Sequence, residues 1–184
     1  MKLESQDSSL IRKLVVPKPT VLVTCVDKRS RANIITIAAC TVVSHDPAIF
    51  VLAVRPDRHS HDLIAETKEF VINIPTVDLI EETDFCGPKS ERDVDKFADT
   101  GLTAVPSSHV NPPLIAECPI NIECKVIHST RQGTHTVFFG EAVNVHVRED
   151  LFPEQFLDFK KLPVILSSST DYLVVGDPIR SRGR

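Results

Sequence analysis

At 184 residues, with 42% apolar and 25% charged residues, the chain has the size and composition of one globular domain with a proper core, and 1–184 reads as a single domain. Its net charge of −4 argues against nucleic acid, whose binders carry a basic excess, and against an anionic membrane surface. No apolar run approaches the ~20 residues that span a bilayer, and the opening MKLESQDSSL lacks the apolar stretch of a secretory signal, so a cytoplasmic protein is expected.

After a polar stretch and two prolines, Pro17 and Pro19, TVLVTCV (20–26) is short and β-branched and reads as a buried strand. DKRSRAN (27–33) is a charged turn, and IITIAACTVV (34–43) reads as the partner strand, ended by SHDP. AIFVLAV (48–54) is a third strand. Pro56 keeps RPDRHSHD (55–62) out of any strand interior, and LIAETKEF continues it as a short helix before FVINIP (70–75) returns to strand. CGPKSERDVDKFADTG (86–101) holds a second short helix, with Ser90 as N-cap, Asp93 three residues on, Gly101 as the stop, and Val94, Phe97 and Ala98 facing inward. Residues 118–129 and 134–147 form a hairpin around RQG (131–133). Residues 151–159 read as a short helix, and VILSSSTDYLVVG (164–176) closes the chain. Many strands with few short helices predict an all-β barrel or sandwich, since a parallel βαβ fold needs longer crossover helices.

Metal chemistry has little support. There is no C-x-x-C and no H-E-x-x-H. The seven histidines are scattered, and His59 and His61 would point to opposite faces of an extended chain. Five cysteines leave at least one unpaired in a monomer. Cys118 and Cys124, six apart on one strand, would share a face and pack as small hydrophobes. No metal ligand is assigned, and there is no G-x-G-x-x-G, P-loop or G-x-S-x-G.

The stretch 55–62 is the most informative. It places Arg55, Arg58, His59 and His61 within seven residues, directly after a buried strand, with Ser60 positioned to cap the helix that follows. A helix start offers backbone N–H groups and a partial positive charge, and arginine adds a planar donor fork that matches phosphate oxygens. Read locally, a solvated charged turn explains it slightly better, because Arg-rich loops are common and Asp57 and Asp62 offset part of the charge.

Residues 19–75, DFCGPKSERDVDKFADTGL (84–102), PPLIAECPINIEC (112–124), GTHTVFFGEAV (133–143) and DYLVVG (171–176) together resemble, in order and spacing, the flavin reductase-like, FMN-binding split-barrel family, in its flavoredoxin-type branch. The resemblance implies a Greek-key antiparallel β-barrel that forms a homodimer, with one flavin per protomer near the interface. Arg55, Arg58, His59 and Ser60 would hold the phosphate. Asn33, Thr36, Ala38, Ala39 and Cys40 would line the isoalloxazine. Lys96 matches a lysine that reaches the flavin, and His135, in G-T-H, matches the G-D-H histidine linked to nicotinamide or flavin contact. Each has a plainer rival: Asn33 ending a turn, Cys40 filling the core, Lys96 solvated between Asp93 and Asp99, His135 sitting in a hairpin.

Some positions depart from the family. Ala39 is small where an aromatic often covers the ring, and Thr134 replaces the aspartate of G-D-H. Ser30, Lys68 and Glu91 stand where glycine is common. The implied function is an FMN-dependent oxidoreductase, with FAD the less expected flavin and NAD(P)H the electron donor. The alternatives are a non-enzymatic electron-transfer protein with a protein redox partner and a barrel that binds no flavin.

Overall fold

A computed structural model describes residues 4, 6–11, 13–89, 94–151 and 159–177. In chain order the elements are α1 (Ser8–Ile11), β1 (Lys18–Pro19), β2 (Val21–Val26), β3 (Ala32–Ile37), β4 (Cys40–His45), β5 (Ala48–Val54), α2 (His59–Thr67), β6 (Glu69–Ile74), α3 (Ile80–Cys86), α4 (Lys96–Thr100), β7 (Ala104–Val105), β8 (Leu114–Ile115), β9 (Ile120–Gln132), β10 (His135–Val147), β11 (Ile165–Ser167) and β12 (Tyr172–Val174). No helix among the described residues is long and apolar enough to cross a membrane.

Seven strands form one antiparallel sheet in the order β3-β2-β6-β9-β10-β5-β4. The expected strand over 34–43 is in fact two. β3 ladders onto β2 at one edge, and β4 ladders onto β5 at the other. The chain crosses between these edges in two residues, Ala38 and Ala39, so the sheet must curl until its edges meet. Ala53 N–H donates to Ala39 O (3.0 Å), which carries the β4–β5 ladder up to the crossover. The result is the Greek-key split barrel expected from the resemblance. Two small sheets, β1-β11-β12 and β7-β8, lie outside it.

The barrel interior holds Val23, Ile35, Leu52, Phe70, Ile72 and Phe138 among its buried side chains, with α2 contributing Leu63 and Ile64. β2 is buried at every position because both faces are covered. Its other face packs Leu22 with Ile34, Cys86, Leu102, Ile115 and Cys118 in a second cluster. Cys118 precedes β9 and belongs to this cluster, whereas Cys124 lies inside the barrel, so the two do not share a face. All five cysteines are buried and none is in a disulfide.

One glycine is required by close approach. A Cβ at Gly140 would lie 2.2 Å from Phe70 Cζ, inside the barrel. Two left-handed residues are not glycine: Ser30 (φ 61°) in the β2–β3 turn and Lys68 (φ 60°), whose N–H closes α2 on Ile64 O. Both were singled out above as glycine-like positions. The third, Glu91, lies outside the described residues.

The second helix differs from its expectation. It is α4, beginning at Lys96, with Asp95 as N-cap accepting Ala98 N–H (3.0 Å), and Gly101 ends it at φ 72°. Lys96 is its buried residue and Ala98 is exposed. The cap expected at Ser90 and Asp93, and most of the helix expected over 151–159, lie outside the described residues. α3, β1, β7 and β8 were not anticipated. They are short, and β7 and β8 sit among prolines and serines that mask any strand period.

Candidate functional site

The chain leaves β5 at Val54, turns through Arg55, Pro56 and Asp57, and enters α2 at His59. Arg58 N–H donates to Arg55 O (3.0 Å), closing the turn. Arg58, not Ser60, is the N-cap, with extended backbone (φ −83°, ψ 134°) and no capping side-chain bond. His61 N–H is taken by Arg58 O (3.0 Å), and the start of α2 otherwise carries no side-chain cap, an arrangement that favours an anion. Ser60 sits inside the helix, buried, and its hydroxyl accepts Asn33 Nδ2–H from β3 (2.6 Å).

Beside this turn lies a small cavity of about 40 Å³, lined by Asn33, Ile35, Asp57, Arg58, His59, Ser60, Lys89 and Lys96. A water needs roughly 10–15 Å³ of such space, so the cavity suits a small polyatomic anion and no ring. Three cations, Arg58, Lys89 and Lys96, face one carboxylate, Asp57, which is itself ion-paired with Arg55. Lys96 is only 2% exposed, and its Nζ donates to Ile34 O (2.5 Å) and Cys86 O (3.0 Å). It thereby ties the edge strand β3 to the end of α3 while bringing its charge to the cavity wall.

A slot of about 230 Å³ adjoins this cavity through Ile35 and Arg58. Its walls are the β3–β4 crossover (Thr36, Ile37, Ala38, Ala39), the end of β5 (Ala53, Val54, Arg55) and His135 at the start of β10. Ala38 and Ala39 keep it open, since no bulky side chain fills the crossover. Thr36 has its hydroxyl committed to Thr83 O (2.5 Å). His135 Nδ1 is bonded to Thr134 Oγ1 (2.8 Å), which fixes the ring and leaves Nε2 to meet a ligand. A wider recess of about 710 Å³ follows, sharing Arg55 and His135 and adding Arg131.

Nearly all the residues singled out from sequence thus converge. Arg58, His59, Ser60, Asn33 and Lys96 meet on the small cavity; Thr36, Ala38, Ala39, Arg55 and His135 meet on the slot. Arg55 lies one step from the expected phosphate position, held by Asp57. Cys40 stands apart: its side chain belongs to the barrel core, where burial pushes the thiol up to about 12. His61 turns away from the cavity, to Thr136 Oγ1 (3.0 Å) and the Phe138 ring. Lys89 was missed in the sequence. It follows the Gly87-Pro88 pair that ends α3 and precedes the expected cap at Ser90, and nothing in its residue type marked it. Among the described residues no group of His, Cys, Asp or Glu could hold a metal.

A family model for the flavin reductase like domain matches residues 12–165. The chain belongs to the flavin reductase-like family. Flavoredoxin of Desulfovibrio vulgaris (Miyazaki F) has the same fold, with a TM-score of 0.89 and 31% identity, covering 99% of this chain and 97% of that one. An uncharacterised protein of Pyrococcus abyssi (strain GE5 / Orsay) is 34% identical over 140 residues, 76% of this chain and 80% of that one. The reductase component of the FADH(2)-dependent resorcinol hydroxylase of Rhizobium sp. (strain MTP-10005) is 27% identical over 140 residues, 73% of each chain. Family membership gives the clustering of Arg58, Ser60 and Lys96 a specific ligand class to be weighed against a solvated loop.

Proposed function

We propose that this flavin reductase-like protein binds FMN across the slot and the small cavity and works as a flavin-dependent oxidoreductase with NAD(P)H as electron donor. The observation that carries the reading is the three-cation cavity at the start of α2, sized for a phosphate and continuous with a slot. The donor set fits a phosphate monoester: a guanidinium, two ammonium groups, a hydroxyl and uncapped helix N–H groups. Asn33 Oδ1 is buried without a hydrogen-bond partner, an acceptor that a ligand hydroxyl would satisfy.

Arg58, Lys89 and Lys96 would neutralise the phosphate, Ser60 and the helix start would orient it, and Thr36, Ala38 and Ala39 would border the ring. Bound flavin supplies the redox chemistry, accepting and releasing electrons, while the protein supplies position and electrostatics. His135, fixed by Thr134, borders both the slot and the wider recess, where a donor would approach. Arg131 lines that recess beside the Arg55–Asp57 ion pair and would meet the phosphate of a donor.

The protein is read as a homodimer. Ile127, Val143 and Val145 on β9 and β10, and Val42 and Val43 on the edge strand β4, are exposed apolar residues on the half of the sheet that carries His135. An exposed apolar edge is a pairing surface.

A second reading is an electron-transfer protein with a protein partner, favoured by Thr134 in place of an acidic residue beside His135. Stopped-flow mixing of the FMN-loaded protein with NADH and with NADPH separates the two. The oxidoreductase reading expects bleaching of the flavin band with at least one donor. No bleaching with either leaves the partner-protein reading.

A further inference from the structure

The recess of about 710 Å³ at the mouth of the slot lies between two segments. Arg55, Pro56 and Asp57, which follow β5, line one side, and Arg131, Thr134 and His135, at the turn of the β9–β10 hairpin, line the other. We propose that Arg131 selects the electron donor: it takes the 2′-phosphate of NADPH, so that the protein uses NADPH in preference to NADH. The inference rests on the donor reading above and goes beyond it by naming the phosphate that Arg131 meets.

The two donors differ in one group, a phosphate on the adenosine ribose of NADPH where NADH has a hydroxyl. Dinucleotide sites that select the hydroxyl place a carboxylate there to accept its hydrogen, and sites that select the phosphate place an arginine. A free carboxylate would repel the phosphate. Among the described residues the recess is lined by one carboxylate, Asp57, and Arg55 holds it in an ion pair. Arg131 then gives the lining a surplus positive charge.

Arg131 is also fixed for the task. Its Nε donates to Gly133 O (2.8 Å), and Gly133 closes the turn with a left-handed φ of 55°. The bond anchors the guanidinium on the hairpin and leaves its terminal amino groups, which have no partner among the described residues, to a ligand. Such a planar pair of N–H donors matches two oxygens of a phosphate. A phosphate monoester is close to doubly charged at neutral pH and offers three acceptor oxygens, more than either phosphate of the diphosphate bridge.

The bridge has less to hold it here. Diphosphates are commonly gripped by backbone N–H groups at a helix start. Arg58, His59 and Ser60, at the start of α2, line the phosphate cavity and not this recess. Pro56, which does line it, has no N–H to give. Arg131 is thus the guanidinium of the recess that no carboxylate holds, and the terminal phosphate gains most from it.

The test uses FMN-loaded wild type and Arg131→Ala, with steady-state kinetics in NADPH and in NADH. Calorimetric titration of adenosine 2′,5′-bisphosphate and of its isomer ADP, which carries both phosphates at the 5′ end, reads binding without turnover. Arg131 is exposed at the hairpin turn, so the variant should fold, and circular dichroism checks it. The wild type should show a kcat/KM about tenfold or more higher with NADPH, carried mainly in KM, as one charge-assisted contact supplies. It should bind the 2′,5′-bisphosphate tighter than ADP by a similar factor, and Arg131→Ala should lose both preferences. A wild type that uses NADH as well as NADPH would overturn the proposal. So would an Arg131→Ala variant that weakens both donors and both nucleotides alike, which would assign Arg131 to the diphosphate. If FMN is bound but neither donor bleaches it, the donor reading falls and the proposal falls with it.

Discussion

Glu123 on β9 is completely buried, yet it holds its proton more weakly than an ordinary carboxyl. Burial opposes ionisation, but hydrogen bonds from His146 (2.7 Å), Ser108 N–H (3.0 Å), Asn144 (3.0 Å) and His109 N–H (2.6 Å) outweigh it and bring the pKa down to about 2. The carboxylate pins residues 108 and 109 over the outer face of β9. A carboxyl depressed on folding adds stability that is full above its unfolded value near 4.5 and is lost as pH falls through about 2. The contribution is on the order of 3 kcal/mol. Acid unfolding should show it: wild type loses stability between about pH 5 and pH 2, and Glu123→Gln shows a lower melting temperature at pH 7 with a flatter acid slope. Nothing in the sequence marked Glu123, because its partners lie 14 to 23 residues away. Arg58 and Ser60 stood out by residue type as a candidate anion site, beside the rival of a solvated turn, whereas Asn33 and Lys96 entered only through the family resemblance. By residue type alone the latter two read equally well as turn and solvated helix. Cys40 marks the limit of that carry-over, since its side chain turns into the core and only its backbone is left to face the slot.

At the scale of elements, composition and period identified β2, β5, β6 and the β9–β10 hairpin, whose apolar runs are bounded by turn residues. They did not separate β3 from β4. The run IITIAACTVV contains no turn residue, and only the closure of the barrel breaks it at two alanines. The start of α2 was misread for a related reason: Ser60 has the residue type of a cap, but the hydrogen bond from Asn33 draws it into the helix. Gly140 shows what the hairpin must accommodate. β10 crosses Phe70 so closely that a methyl group has no room, and the obstacle is a fully buried ring rather than a flexible tip. Gly140→Ala should therefore destabilise the protein by about 1–3 kcal/mol, read as a shift in the urea midpoint with an unchanged slope. A midpoint equal to wild type would show that the barrel relaxes around Phe70.

At the scale of the molecule, the curled sheet brings β3, β5, the start of α2 and the start of β10 to one seam, and the candidate site lies along it. The apolar half of the sheet, β9-β10-β5-β4, adjoins that seam, so pairing of two copies would cover it and the site together. Sedimentation of the wild type should give a dimer, and Val43→Lys with Ile127→Lys should give a folded monomer with weakened flavin retention. A wild-type monomer at micromolar concentration would separate flavin binding from assembly. In the proposed function, Arg58, Ser60 and their neighbours grip a phosphate. The most direct measurement of that grip is titration of FMN and of riboflavin, which lacks the phosphate, into wild type and the Arg58→Ala/Ser60→Ala double variant. The account predicts that wild type prefers FMN by about 100-fold or more, and that the folded double variant loses this preference. A double variant that keeps wild-type affinity for FMN would contradict it.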